Sequence, residues 1–204
     1  MWTRTASLLL CASLSLTQSS FPRAAGAQAQ SAGPSFEGIA VKSLPHPRTN
    51  VRWGRATGLV AAPFPEVVGM VEDYARYHTF LPHFRTSRVL SQRGNKAIVY
   101  MEAVVAMGTL KLWAQMKMGP VKSQGSTQAI EAKMMSGNMK YLEARWELTP
   151  IDAQRTHVVF QLLIEPKLPL PASLLSNENA KASRQTIAAL RRSVAAQRSK
   201  TANL

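Results

Sequence analysis

The sequence predicts an α+β fold: a curved antiparallel sheet of about six or seven strands wrapped around one long C-terminal helix, with two short helices after the first strand. Three observations lead there. Residues 96–164 alternate apolar and polar side chains with period two, and turn signals interrupt them at Arg93-Gly94-Asn95, Gly108, Gly119-Pro120, Ser136-Gly137-Asn138 and residues 150–154. Residues from about 172 to 197 instead repeat apolar groups at steps of three and four, as Ile187, Leu190 and Val194 show. A short helical pattern, closed by Pro82, stands between the first strand and the rest.

The chain of 204 residues has room for one domain with a sizeable core plus a tail or two. Its start reads as an export signal over residues 1–27. Met-Trp-Thr-Arg is a short basic opening, residues 6–16 are apolar or small without charge, and Ala25, Ala27 and Ala29 supply A-x-A spacing for cleavage. The apolar run is shorter than the roughly 20 residues that span a bilayer. Cleavage would remove Cys11, the sole cysteine, and with it any disulfide, thiolate nucleophile or Cys-ligated zinc. Taking away Arg4 and Arg23 leaves 23 of the 25 basic side chains against 11 acidic ones, a net charge of +12. In a periplasmic or secreted protein such a balance points to an anionic membrane surface rather than to nucleic acid, or serves solubility alone.

Residues 28–49 are small, polar and broken by proline, and read as a linker or extended lead-in. The domain proper is expected over 50–197, followed by a basic tail at 198–204. Val51–Val60 is the first strand despite Gly54 and Gly58. Pro65 suits a first helical turn, Glu66 faces the positive end of the helix, and Val67, Val68, Met70 and Val71 supply the apolar stripe of a helix over about 65–73. A second helical turn follows to about residue 80. In the strands, Leu110, Leu112, Ala114, Met116 and Met118 share one face, with Lys111, Trp113, Gln115 and Lys117 on the other. Met101 and Met107, Met134, Trp146, and Phe160 fall on the matching faces of neighbouring segments, so the dry sides together form one apolar concavity. The final helix carries Ile187 toward that concavity and Arg184, Arg191 and Arg192 on a basic outer face.

Three stretches in this order resemble the START-like superfamily, also called the polyketide cyclase and lipid-transport, helix-grip or SRPBCC-type superfamily. They are ATGLVAAPFPEVVGMVEDYARYHTFLP at 56–82, ARWELTP at 144–150, and PKLPLPASLLSNENAKASRQTIAALRR at 166–192. The resemblance covers about residues 50–197. It implies a helix-grip fold with a hydrophobic-ligand pocket between sheet and helix, and it does not decide between carrier and enzyme, because the fold hosts both.

The pocket residues must therefore decide. Five methionines on the inward faces, Met101, Met107, Met116, Met118 and Met134, suit an irregular apolar guest, or simply fill a core. Phe80, Leu81, Trp146, Phe160 and Ile187 complete the expected pocket, with Phe80 and Leu81 at its rim. His78 and His83 are five apart with a proline between, so they cannot share a helix face as a metal pair, and each reads as a surface or capping group before a general base. Glu102, Glu131, Glu143 and Arg145 alternate outward as cross-strand pairs; Glu102 or Arg145, if inward, would hold a polar ligand head. No metal set, phosphate-cradling glycine loop, dinucleotide fingerprint or Ser-His-Asp order occurs, so no cofactor is expected. The expected function is an exported, monomeric protein that holds or carries a hydrophobic small molecule, foremost a lipid. The alternative is a cyclase- or hydratase-type enzyme acting in the same cavity.

Overall fold

The computed structural model describes residues 38–105 and 108–202. The expected signal over 1–27, residues 28–37 of the lead-in, and Met107 lie outside them. In chain order the elements are β1 (Ala40–His46), β2 (Thr49–Val60), α1 (Phe64–Glu72), a 3-10 turn (Tyr74–Arg76), α2 (Tyr77–Phe80), β3 (Phe84–Arg93), β4 (Lys96–Val105), β5 (Leu110–Met118), β6 (Lys122–Gln124), β7 (Thr127–Gly137), β8 (Met139–Asp152), β9 (Arg155–Pro166) and α3 (Ala172–Ala202). The strands form one antiparallel sheet in the order β1-β2-β9-β8-β7-β5-β4-β3, with β6 paired to β7 outside that path.

Nine strands replace the expected six or seven. The additions are β1, inside the stretch read as a lead-in, and the three-residue β6, whose Lys-Ser-Gln is too short to show a period. Strand β1 exists because β2 offers it an edge; Ala40 pairs with Thr57 and the ladder runs to His46 opposite Thr49. Helix α3 also runs to Ala202, past the expected end, so residues read as a basic tail are helical.

The two glycines of β2 explain how α3 reaches the sheet. A Cβ at Gly54 would stand 2.1 Å from the Asn179 carbonyl oxygen, so the helix backbone lies directly on the strand there. About three turns of helix further on, Gly58 leaves room for Arg191, whose Nη2 would be 2.9 Å from an added Cβ. Asn179, Ser183, Ile187 and Arg191 thus form one i, i+4 stripe laid along β2. Ile187, Leu190 and Val194 beneath it are at most 2% exposed, and burying such side chains stabilises by about 1.5–3 kcal/mol each.

Hydrogen bonds lock this crossing. Strands β2 and β9 pair from Val60 opposite Thr156 back to Gly54 opposite Leu162, and then part. Where they part, the Asn179 amide takes the place of the ladder. Its Oδ1 accepts from the Ile164 N–H at 3.1 Å, and its Nδ2 donates to the carbonyls of Arg52 at 3.2 Å and Ile164 at 3.3 Å. The Ser183 hydroxyl donates to the Gly54 carbonyl at 2.9 Å, and the Ser176 oxygen accepts from the Arg52 N–H at 2.9 Å.

Asn179→Ala removes the partner of the Ile164 N–H and of the Arg52 and Ile164 carbonyls, at about 1–3 kcal/mol for each group left buried without one. We expect a loss of about 2–4 kcal/mol in denaturant unfolding for Asn179→Ala. Gly54→Ala should be at least as damaging, because its clash is with backbone rather than with a flexible side chain. Unchanged midpoints for both variants would rule out this crossing as the anchor of α3.

Candidate ligand-binding cavity

With α3 held over β2 and β9, the concave face of the sheet on its far side is left to shorter elements, and a cavity of about 120 Å³ remains. Its floor is the inward face of β4, β5, β7, β8 and β9, contributing Met101, Met116, Met118, Ala132, Trp146 and Phe160 among others. Tyr77, Leu81 and Phe84 close it from α2 and the start of β3, and Thr186 faces it from α3.

Of the expected pocket residues, the strand positions Met101, Met116, Met118, Trp146 and Phe160 and the rim residue Leu81 are on the lining. Three other expected residues lie off it. Phe80 turns to the outer side of α2, in a depression with Pro65, Met70 and Gln197. Met134 sits beside a β-bulge between Gln115 and Met116 that shifts the β5–β7 register, and its sulfur packs against Gly137. Ile187 is fully buried, but over Gly58 of β2, so its neighbour Thr186 is the α3 side chain on the cavity.

Sequence reasoning missed Tyr77, Met139 and Thr186 as lining. Met139 is out of phase with Leu142, Ala144 and Trp146; a register irregularity between Met139 and Tyr141 brings it to the lining, and the alternation does not reveal it. Nothing in the spacing of Tyr77 or Thr186 separates cavity from core.

The polar atoms at the cavity are already engaged. The Tyr77 hydroxyl donates to the Val71 carbonyl at 2.6 Å and is hydrogen-bonded by Trp146. The Thr186 hydroxyl donates to the Ala182 carbonyl at 2.9 Å. Burial, reinforced by the neighbouring Tyr74, pushes the Tyr77 phenol well above its ordinary range. The Tyr74 phenol is pushed up to about 12, by burial first and by Glu72 second. Their rings meet edge to face at 5.8 Å, and Tyr77 meets Phe80 the same way at 5.6 Å, so the aromatic cluster wedges the junction of helices and sheet.

The histidines serve the backbone. His78 Nδ1 lies 3.0 Å from the Ala75 carbonyl, and His83 turns the chain into β3 with a left-handed φ of 68°. The strand charges pair on the outer face. Glu102 meets Lys111 at 3.1 Å, Glu143 meets Arg48 at 2.6 Å, and Arg145 bridges Glu131 at 3.2 Å and Glu147 at 2.9 Å. Neither Glu102 nor Arg145 lines the cavity. The basic face of α3 is divided. Arg184 and Arg192 are exposed, whereas Arg191 bends inward to donate from Nε to the Leu59 carbonyl at 2.7 Å, and its pKa is lowered by burial. Among the described residues no group of His, Cys, Asp or Glu is placed to hold a metal, and no helix is long and apolar enough to cross a membrane.

A curved sheet gripping a long helix around an apolar cavity defines the helix-grip class. The chain belongs to the polyketide cyclase / dehydrase and lipid transport family, whose model matches residues 60–191. Among solved structures it is similar to a STAR-related lipid transfer protein from Xanthomonas axonopodis, at 18% identity and a TM-score of 0.66, covering 78% of this chain and 94% of that one. It is also similar to human StAR-related lipid transfer protein 5, at 13% identity and a TM-score of 0.67, covering 79% of this chain and 84% of that one. A third likeness is to the Zhui aromatase/cyclase from Streptomyces sp. R1128, at 18% identity and a TM-score of 0.53, covering 70% and 93% of the two chains. At these identities the likeness is one of fold. No curated protein sequence matches.

Tyr77→Phe removes the partner of both Trp146 and Val71 and should lower stability by about 1–2 kcal/mol in chemical denaturation. Because folding raises both phenol pKa values above the ordinary 10, their contribution is intact below pH 10 and fades as pH climbs toward 12. Unfolding free energy should therefore fall across that interval, and fall less steeply in Tyr77→Phe. Equal slopes in the two proteins would contradict the assignment.

Proposed function

We propose that this protein binds a hydrophobic small molecule, foremost a lipid, and holds or carries it rather than transforming it. Membership of the family fits a hydrophobic-ligand role in general. The observation that carries the finer reading is the lining. Among the described residues around the cavity there is no His, Asp, Glu, Lys, Arg or Cys, and its phenol and hydroxyl are bonded to backbone. A cyclase or hydratase needs a group that can take or give a proton near neutral pH. The Tyr77 phenol is shifted away from that range, so the lining supports binding over catalysis.

The size of the space refines the guest. About 120 Å³ is close to the roughly 150 Å³ of an engineered apolar cavity that takes up benzene, and below the roughly 300 Å³ where ligand pockets begin. The closed form thus accommodates a ring or a short stretch of acyl chain, and a larger guest widens it. Met101, Met116, Met118 and Met139 are suited to that, since unbranched thioethers change rotamer at little expense. The basic opening, apolar run and A-x-A spacing of residues 1–27 support export to the periplasm or beyond, and the +12 left without them supports contact with anionic lipid.

Native mass spectrometry after mild extraction should show a lipid-sized adduct, lost on harsh delipidation and regained when lipid is supplied. Ala114→Phe, which puts a ring into the cavity from β5, should abolish the adduct while leaving the protein folded by circular dichroism. Retention of the same adduct by a folded Ala114→Phe protein, or a wild-type chain that never takes up lipid, would sink the proposal.

A further inference from the structure

The loop between β9 and α3 carries an unusual apolar crest. Leu168 is 45% exposed, Leu170 42%, and Leu174, in the first turn of α3, 47%. Leu168 and Leu170 also line an open groove with Arg48 and Lys140, and Lys167 stands exposed beside them. Clustered exposed leucines rimmed by polar groups mark an interaction surface; Arg48 and Lys140 at this rim are paired with Glu143 and Glu165.

We propose that this loop docks the protein on an anionic phospholipid bilayer by inserting Leu168, Leu170 and Leu174 among the head groups. Its backbone is fitted to that environment. In lipid every unsatisfied N–H is expensive, and Pro166, Pro169 and Pro171 have none. The Leu170 N–H is already spent on the Leu168 carbonyl at 2.8 Å. Of the six residues 166–171, only Lys167 and Leu168 present a donor that this loop does not itself remove or satisfy. Three prolines also hold the crest in shape before it meets the membrane, so little ordering entropy is lost on docking.

Charge and placement agree with a bilayer. The chain's net +14 draws it toward anionic lipid, and Lys167 contributes at the contact. Glu165, the carboxylate in the groove, is paired with Lys140 at 2.7 Å and accepts a hydrogen bond from the Thr49 hydroxyl. The antiparallel order puts the end of β9, the start of β8 and the start of β3 at the same end of the sheet, and Met139 and Phe84, which open β8 and β3, both line the cavity. The crest therefore sets the cavity's near end against the lipid. The docking surface stands on the loop itself; only its purpose, exchange of a guest with the membrane, rests on the binding reading.

The full chain is tested in a Cys11→Ser background, carrying Leu170→Cys or Leu59→Cys labelled with an environment-sensitive fluorophore. Leu59 is 44% exposed near the far end of β2 and serves as the control. With vesicles of equal parts phosphatidylcholine and phosphatidylglycerol, the probe at position 170 should brighten and shift to the blue, and the probe at 59 should not. Phosphatidylcholine alone should give a weaker response, and Lys167→Gln should weaken binding about fivefold. Pairing Leu168→Asn with Leu174→Asn should remove the response at 170. A response at both probes or at 59 alone, or no response at 170, overturns the proposal, as does a concentration-dependent dimer that buries position 170. Loss of docking with lipid still bound in mass spectrometry refutes this surface and leaves the binding reading standing; docking by a chain that never binds lipid does the reverse.

Discussion

Helix α3 crosses strand β2 at backbone contact, and that crossing decides where every other element can lie. Gly54 permits the approach, Asn179 fills the gap where β2 and β9 part, and Ser183 and Ser176 fasten the helix on either side. The arrangement works because a side-chain amide carries both a donor and an acceptor, so one residue can close both broken edges of a ladder. Arg191 and Arg198 extend the fastening, reaching the carbonyls of Leu59 and Ala61. Along this line the basic residues of α3 are structural latches.

Fixing α3 to one side of the sheet leaves the other side of its concave face underfilled. The sheet remains open, with β1 and β3 at its edges, and α1 with α2 supplies only short cover over β8, β9 and β3. The aromatic wedge of Tyr74, Tyr77, Phe80 and Phe84 props that cover, and a cavity survives beneath it. Interiors pack to crystal-like density when they can, so a void lined by methionine, alanine and aromatic rings exists because the anchoring of α3 forbids closure. The same geometry brings the β9–α3 loop to the end of the sheet where the cavity's lining begins.

Polar groups are sorted with equal consistency. On the outer face of the sheet, carboxylates and cations meet across strands in half-exposed pairs, each a modest contribution under solvent screening. On the inner face the few polar atoms donate to backbone. Among the described residues, that separation leaves the cavity's lining apolar and uncharged.

Much of this was legible in order. Strict alternation over β4, β5, β8 and β9 fixes which side chains point inward, because a one-residue slip would turn every leucine and methionine to water. The α3 stripe and the proline that stops α2 follow equally from local geometry. Strands β1 and β6 were not legible, since each exists only through the edge that another strand offers. Met134 pairs with the lining Met116 yet stays off the cavity with its sulfur against Gly137, and the stripe of Ile187 shows that it is buried but not against what; the period encodes neither distinction.

The sequence by itself determined the alternation, the helix, the elements' order and the apolar character of the inner faces, all of which depend on neighbours a few residues away. The tertiary structure alone decided that Thr186 faces the cavity and Ile187 does not, that Arg191 bends inward, and that the leucines after β9 crown the end where the cavity's lining begins. Those facts depend on where α3 crosses β2, a contact between residues more than a hundred positions apart that no local period encodes.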